Sequence, residues 1–176
     1  MYYATVKFND IANGLGIRTS LFVSGCSHFC KGCFNSEAWD FRYGKPFDED
    51  IQNKIIESLK SEFCDGLSLL GGEPFEPENQ KALLPFLKRV KSEVPNKDIW
   101  CYTGFLFDSE LLGESRAKTE NTIEMLKLID VLVDGRFIEE KKNISLRFKG
   151  SENQRIIDVT KSLQKGETIL FNIENY

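Results

Sequence analysis

The apolar positions along this chain change period several times, and each change marks an element. Val6 and Phe8 alternate with Thr5 and Lys7, the period-two pattern of a strand with one buried face. NDIANGLG then supplies turn-forming residues before RTSLFVSG, a β-branched and apolar run that ends at Cys26. Beyond an aromatic loop the period lengthens, with Ile51, Ile55, Ile56, Leu59 and Phe63 at helical spacing. GLSLLGG (66–72) predicts a short buried strand stopped by GGEP. Leu83, Leu84, Leu87, Val90 and Val94 predict a second amphipathic helix, in which Pro85 implies a kink or a late start. DIWCYTG (98–104) reads as a strand, and Asn121 is placed to cap a helix carrying Ile123, Leu126 and Ile129. VLVDGRF (131–137) repeats the strand-then-turn pattern, and SLRFKG, QRIIDV and ETILF read as short closing strands.

Three successive strand–helix–strand steps predict an α/β chain with a parallel sheet and helices outside it. A complete eightfold barrel usually needs ~250 residues, so the expected fold is a partial (β/α) barrel of roughly five or six mostly parallel strands. The 176 residues are expected to form a single domain.

Composition narrows the setting. With 41% hydrophobic and 28% charged residues the chain has the make-up of a soluble globular domain able to bury a core. A formal charge of -4 gives no reason to expect nucleic acid or an anionic membrane as partner, since both reward clustered Lys and Arg. No long apolar run is present, and MYYATVKF lacks the layout of a secretory signal, so the expected location is cytoplasmic. In that reducing compartment five cysteines are poor disulfide material, and closely spaced thiols more often hold metal.

In parallel α/β folds ligands sit at the carboxyl ends of the strands. Here those ends lead into the cysteine loop, Gly71-Gly72-Glu73-Pro74, Thr103-Gly104 and Asp134-Gly135-Arg136. Cys26, Cys30 and Cys33 follow a C-x3-C-x2-C spacing. An electron-transfer [4Fe–4S] cluster normally takes four cysteines, whereas three leave one iron open for a substrate. Cys64 lies at the far end of its strand from GGEP, and Cys101 sits inside a strand, so both read as packing residues. Adding His28 to the triplet gives a Cys3His zinc alternative, although four zinc ligands rarely crowd one loop. His28 otherwise lies on the loop surface or hydrogen-bonds near the cluster.

The cysteine triplet followed by a GGE strand end resembles the radical S-adenosylmethionine superfamily. NGLGIRTSLFVSGCSHFCKGCFN, GLSLLGGEPFEPEN, DIWCYTG, DVLVDGRF and SLRFKGSENQRIIDV together are similar to the activating proteins of anaerobic ribonucleoside-triphosphate reductase. The resemblance spans roughly residues 5 to 160 and implies a [4Fe–4S] cluster on Cys26, Cys30 and Cys33, with S-adenosylmethionine chelating the open iron. Reductive cleavage would then give methionine and a 5′-deoxyadenosyl radical, which removes a hydrogen from a glycine of the reductase polypeptide. The implied electron source is a low-potential donor such as flavodoxin or ferredoxin. By the same resemblance Gly71 and Gly72 offer backbone to the methionine ammonium, and Glu73, often aspartate in the family, adds charge complementarity. Gly32 and Phe34, flanking Cys33, match positions on the adenine side. Tyr102 and Thr103 are candidates for the ribose pocket, and equally ordinary as a core tyrosine and a strand threonine. Asp134 and Arg136 match an acidic-x-basic pair, with Arg136 on the methionine carboxylate; the alternative is an Asp-Gly turn with a solvated arginine. The aromatics Phe34, Trp39, Phe41, Tyr43 and Phe47 screen the cluster or, for Phe41 and Phe47, fill the core. No acid–base residue is required. Other readings are a radical enzyme for another glycyl radical protein or a small molecule, and a zinc-binding or electron-carrier module.

Overall fold

Four parallel strands form the middle of one sheet: β2 (Arg18–Val23), β4 (Gly66–Gly71), β5 (Asp98–Tyr102) and β6 (Val131–Asp134). This computed structural model describes residues 1–175. Among them the sheet has seven strands, completed by β1 (Tyr2–Asp10), β3 (Lys45–Pro46) and β7 (Arg155–Asp158), in the order β3-β1-β2-β4-β5-β6-β7. The expected five or six strands are therefore seven, and the three outer pairings, β1 with β2, β1 with β3 and β6 with β7, are antiparallel. The link at 11–17 is too short for a parallel crossover, which takes about a dozen residues or more, so β1 folds back on β2.

The helices α1 (Glu49–Leu59), α2 (Pro77–Glu93) and α3 (Thr122–Leu128) are the three predicted crossovers, and α4 (Val159–Lys165) follows β7. Phe63 lies beyond the end of α1 and is 79% exposed, so it does not extend that stripe. Helix α2 begins with Pro77 in its first turn and runs through Pro85. The lost N–H there is offset by Leu83, Leu84, Phe86, Leu87 and Val90, all buried. Asn121 occupies the cap position of α3 without a side-chain bond; its carbonyl accepts from Met125 N at 2.9 Å. SLRFKG forms no strand, because Phe148 turns left-handed (φ 58°), and ETILF contributes only a bridge from Leu170 to Ile157.

Period-two alternation divides the core. Leu21, Val23, Leu67, Leu69, Ile99, Cys101 and Leu132 face the helices in one cluster. Trp100, Val131, Val133 and Ile156 face the other way, covered by the loop residues Leu15, Phe148 and Phe171 and by Ile173 in a short 3₁₀ turn. Arg18, fully buried on that second face, donates to Ser68 Oγ (2.7 Å) and pairs with Asp98 (2.5 Å). No helix among the described residues is long and apolar enough to cross a membrane.

Candidate metal and cofactor site

The carboxyl ends of β2, β4 and β5 open into one cleft of about 520 Å³. Cys26, Cys30 and Cys33 line it, together with Gly71, Gly72 and Glu73. Gly32, Phe34, Tyr102 and Thr103 line it too, so the structure brings ten of the twelve candidate residues to one place. Asp134 and Arg136 are not on its wall. Asp134 is fully buried and accepts from Arg155 Nε (2.9 Å), Arg155 Nη2 (2.5 Å) and Phe107 N (2.8 Å). Asp134 pairs with Arg155, brought beside it by the antiparallel pairing of β6 with β7, while Arg136 is exposed and its charge acts on the Cys30 thiol.

All five cysteines are free thiols. Burial, reinforced by the charges of Glu73 and Glu76, pushes the Cys26 thiol up to about 12. Burial and then the neighbouring Cys33 raise Cys30 as well. A thiol held protonated in this way becomes a ligand when a cation displaces its proton, so metal uptake here releases protons. Cys64 and Cys101 are buried away from the triplet; the Cys64 Sγ lies 3.6 Å from the Gly66 carbonyl and 3.8 Å from Thr19 Oγ1.

The glycine turn is shaped by close packing. Gly71 has a φ of 107°, and a Cβ there would lie 2.8 Å from the backbone of Phe22 and Val23. A Cβ on Gly72 would meet the carbonyl oxygens of Gly25 (2.6 Å) and Ala38 (3.0 Å). The turn therefore touches the backbone just before Cys26, where Gly72 N donates to Val23 O (2.7 Å) and Glu73 N to Gly25 O (2.8 Å).

Glu73 is 1% exposed, and its carboxylate is engaged on both oxygens. Oε1 accepts from Phe75 N and Thr103 Oγ1, each at 2.8 Å. Oε2 accepts from Gly104 N (2.8 Å) and lies 3.0 Å from His28 Nε2. The Glu73 carboxylate, expected to add charge complementarity, thus joins three loops. Thr103 is similarly used, because its hydroxyl also accepts from Phe105 N (3.1 Å). The Tyr102 hydroxyl, by contrast, is buried with no hydrogen-bond partner among the described residues.

His28 does not lie on the surface. Its side chain is 2% exposed, its ring centroid is 4.4 Å from that of Phe105, and Nδ1 is 3.2 Å from Arg116 Nη2. With both ring nitrogens facing protein partners, His28 is not free to complete a Cys3His set. Among the described residues no three His, Cys, Asp or Glu side chains are grouped to hold one metal ion. A zinc site needs its donors around a single point, whereas cysteines of a cluster bind separate irons. Of the aromatics, Phe34 is 85% exposed, Trp39 lines the cleft, and Phe47 packs edge-on against Tyr3 and Phe86.

The 4Fe-4S single cluster domain model matches residues 12–157. An anaerobic ribonucleoside-triphosphate reductase-activating protein of Pasteurella multocida is 46% identical over 161 residues, covering 90% of this chain and 96% of its own length. This chain belongs to the anaerobic ribonucleoside-triphosphate reductase-activating protein family. The Haemophilus influenzae relative is 48% identical over 157 residues (88% of this chain, 94% of its own), and that of Enterobacteria phage T4 is 34% identical over 167 (94% and 99%).

In this family member Glu76, Asn79 and Arg116, which brace the segment around the triplet, are not among the expected site residues. Glu76 accepts from Ser27 N (2.8 Å), Ser27 Oγ (2.6 Å) and Arg116 Nη1 (2.7 Å). Burial raises its carboxyl, but the bonds from Ser27 and Arg116 outweigh burial and hold it below the usual carboxylate range. Asn79 Nδ2 reaches the carbonyls of Ser24 (3.0 Å) and Glu73 (2.8 Å). Glu73, Glu76 and Asn79 recur every three residues at a helix start, a legible signal; Arg116 lies in an irregular segment with none.

Proposed function

We propose that this chain is a radical S-adenosylmethionine activase that generates a glycyl radical on anaerobic ribonucleoside-triphosphate reductase. The observation that carries it is the sharing of one cleft by three free cysteines and a side-chain-free glycine turn. Cys26, Cys30 and Cys33 would hold a [4Fe–4S] cluster, and the same cleft would take S-adenosylmethionine beside it. Once bound, these groups supply the chemistry: one electron breaks the bond between sulfur and the adenosyl 5′ carbon, releasing methionine, and that carbon takes a hydrogen atom from a glycine, leaving 5′-deoxyadenosine and a glycyl radical.

The chain's own groups bind and orient. The backbone of Gly71 and Gly72 meets the methionine ammonium, since the Glu73 carboxylate is committed elsewhere. Gly32 and Phe34 line the adenine side, and Tyr102, its hydroxyl unpartnered, takes the ribose. The sheet is a partial barrel, a reading supported by the packing of the α-helices on one of its faces. Residues 1–176 act as one cytoplasmic domain whose partners are the reductase and a low-potential donor such as flavodoxin or ferredoxin, not nucleic acid or membrane.

The test is anaerobic reconstitution followed by reduction with S-adenosylmethionine and the reductase. The expected result is about four irons per chain, 5′-deoxyadenosine, and a glycyl electron-spin signal on the reductase. Cofactor cleavage that never yields that signal would refute the partner assignment.

A further inference from the structure

We propose that His28 is a positioning residue that ties the cysteine loop to the glycine turn and so sets the cluster in register with the second cofactor. The inference rests on the function proposed above. A guanidinium only donates, so the approach of Arg116 Nη2 to His28 Nδ1 (3.2 Å) makes Nδ1 an acceptor and places the ring proton on Nε2. That proton points at Glu73 Oε2, 3.0 Å away, and Glu73 follows directly on Gly72. Arg116 is itself held by Glu76 (2.7 Å) and by a contact to Ser27 Oγ, and its guanidinium lies 4.6 Å from the centre of the Phe105 ring. The tether thus runs from the residue midway between Cys26 and Cys30, through its imidazole, to the turn that faces the cleft.

The next residue shows why a tether is needed. Phe29 turns left-handed (φ 50°), a conformation that a side chain persists in only when its surroundings impose it. Its ring meets Trp39 edge-on at 5.3 Å on one side, and the buried His28 anchors the other. Gly104 leaves room for this arrangement, since a Cβ there would lie 2.6 Å from the His28 ring. Freeing His28 lets the turn at Phe29 relax and moves Cys30 relative to the glycine turn, with all three thiols still present.

The experiment compares reconstituted wild-type protein with His28→Ala and His28→Gln, whose amide both donates and accepts as the imidazole does. The readouts are iron content, the change in the reduced cluster's electron-spin spectrum on adding S-adenosylmethionine, and the affinity for that cofactor. His28→Ala is expected to weaken affinity by at least about tenfold and blunt the spectral change, with His28→Gln restoring most of both. Arg116→Gln removes the guanidinium donor to Nδ1 together with its contacts to Glu76 and Ser27 while keeping the imidazole, and is expected to shift the spectrum in the same direction. Wild-type affinity and spectrum in His28→Ala, or equal loss in His28→Ala and His28→Gln, overturns the proposal. If His28→Ala fails to take up iron, wild-type behaviour of Arg116→Gln overturns it. A wild-type cluster whose spectrum ignores S-adenosylmethionine sinks the proposed function together with the tether.

Discussion

Replacing Asp134 by alanine separates a structural role from a ligand-binding one. Its carboxylate is fully buried and accepts three hydrogen bonds, two from Arg155 and one from Phe107 N. Truncation strands the Phe107 N–H, at about 1–3 kcal/mol. It also breaks an ion pair whose loss costs roughly 3–5 kcal/mol when both partners are buried. The Arg155 side chain is 31% exposed and keeps Asp108 at 2.8 Å, so water and a second carboxylate recover much of the latter. A total near 3 kcal/mol follows, which for a chain of this size corresponds to a fall in Tm of about 6–12 °C. Arg136→Ala, at an exposed residue in no ion pair among the described residues, is expected to change stability by less than about 0.5 kcal/mol. The assay is urea unfolding of both variants under anaerobic conditions, reading the midpoint at unchanged m. An Asp134→Ala midpoint equal to wild type would refute the burial argument.

Three further outcomes are expected. Gly72→Ala places a Cβ 2.6 Å from the Gly25 carbonyl, a backbone atom that cannot yield alone, and should cost about 1–3 kcal/mol in unfolding experiments while lowering iron uptake. Cys64→Ala and Cys101→Ala should retain the full iron content, whereas Cys30→Ala should lose cluster-dependent activity while keeping most of the fold; iron analysis and circular dichroism decide. Hydrogen bonding to Arg155 is the main cause that lowers the Asp108 carboxyl from 3.8 to about 2. The unfolded chain therefore takes up that proton at higher pH than the folded one, so this contribution is complete above pH 3.8 and lost as pH falls through 2. Unfolding midpoints measured across that window should fall less steeply for Asp108→Asn.

Much of the site could be read before any coordinate. The cysteine spacing, the Gly71-Gly72 turn and the three crossovers are local features, set by residues close in sequence and by the period of the apolar positions. Seven strands replaced five or six because direction of pairing at the edges depends on loop length and register, to which periodicity is blind. Phe63 and Phe148 misled for a related reason: an apolar residue at the right spacing carries no mark of where its element ends.

By itself the sequence determined a chain of alternating strands and helices, a triplet of cysteines at one strand end, and a glycine pair beside it. Tertiary structure alone decided how the polar groups are shared. It gave Asp134 the partner Arg155, and Glu73 the partners Thr103, Gly104 and His28. A buried charge must find partners wherever the fold supplies them, and those donors lie up to 45 positions away along the chain.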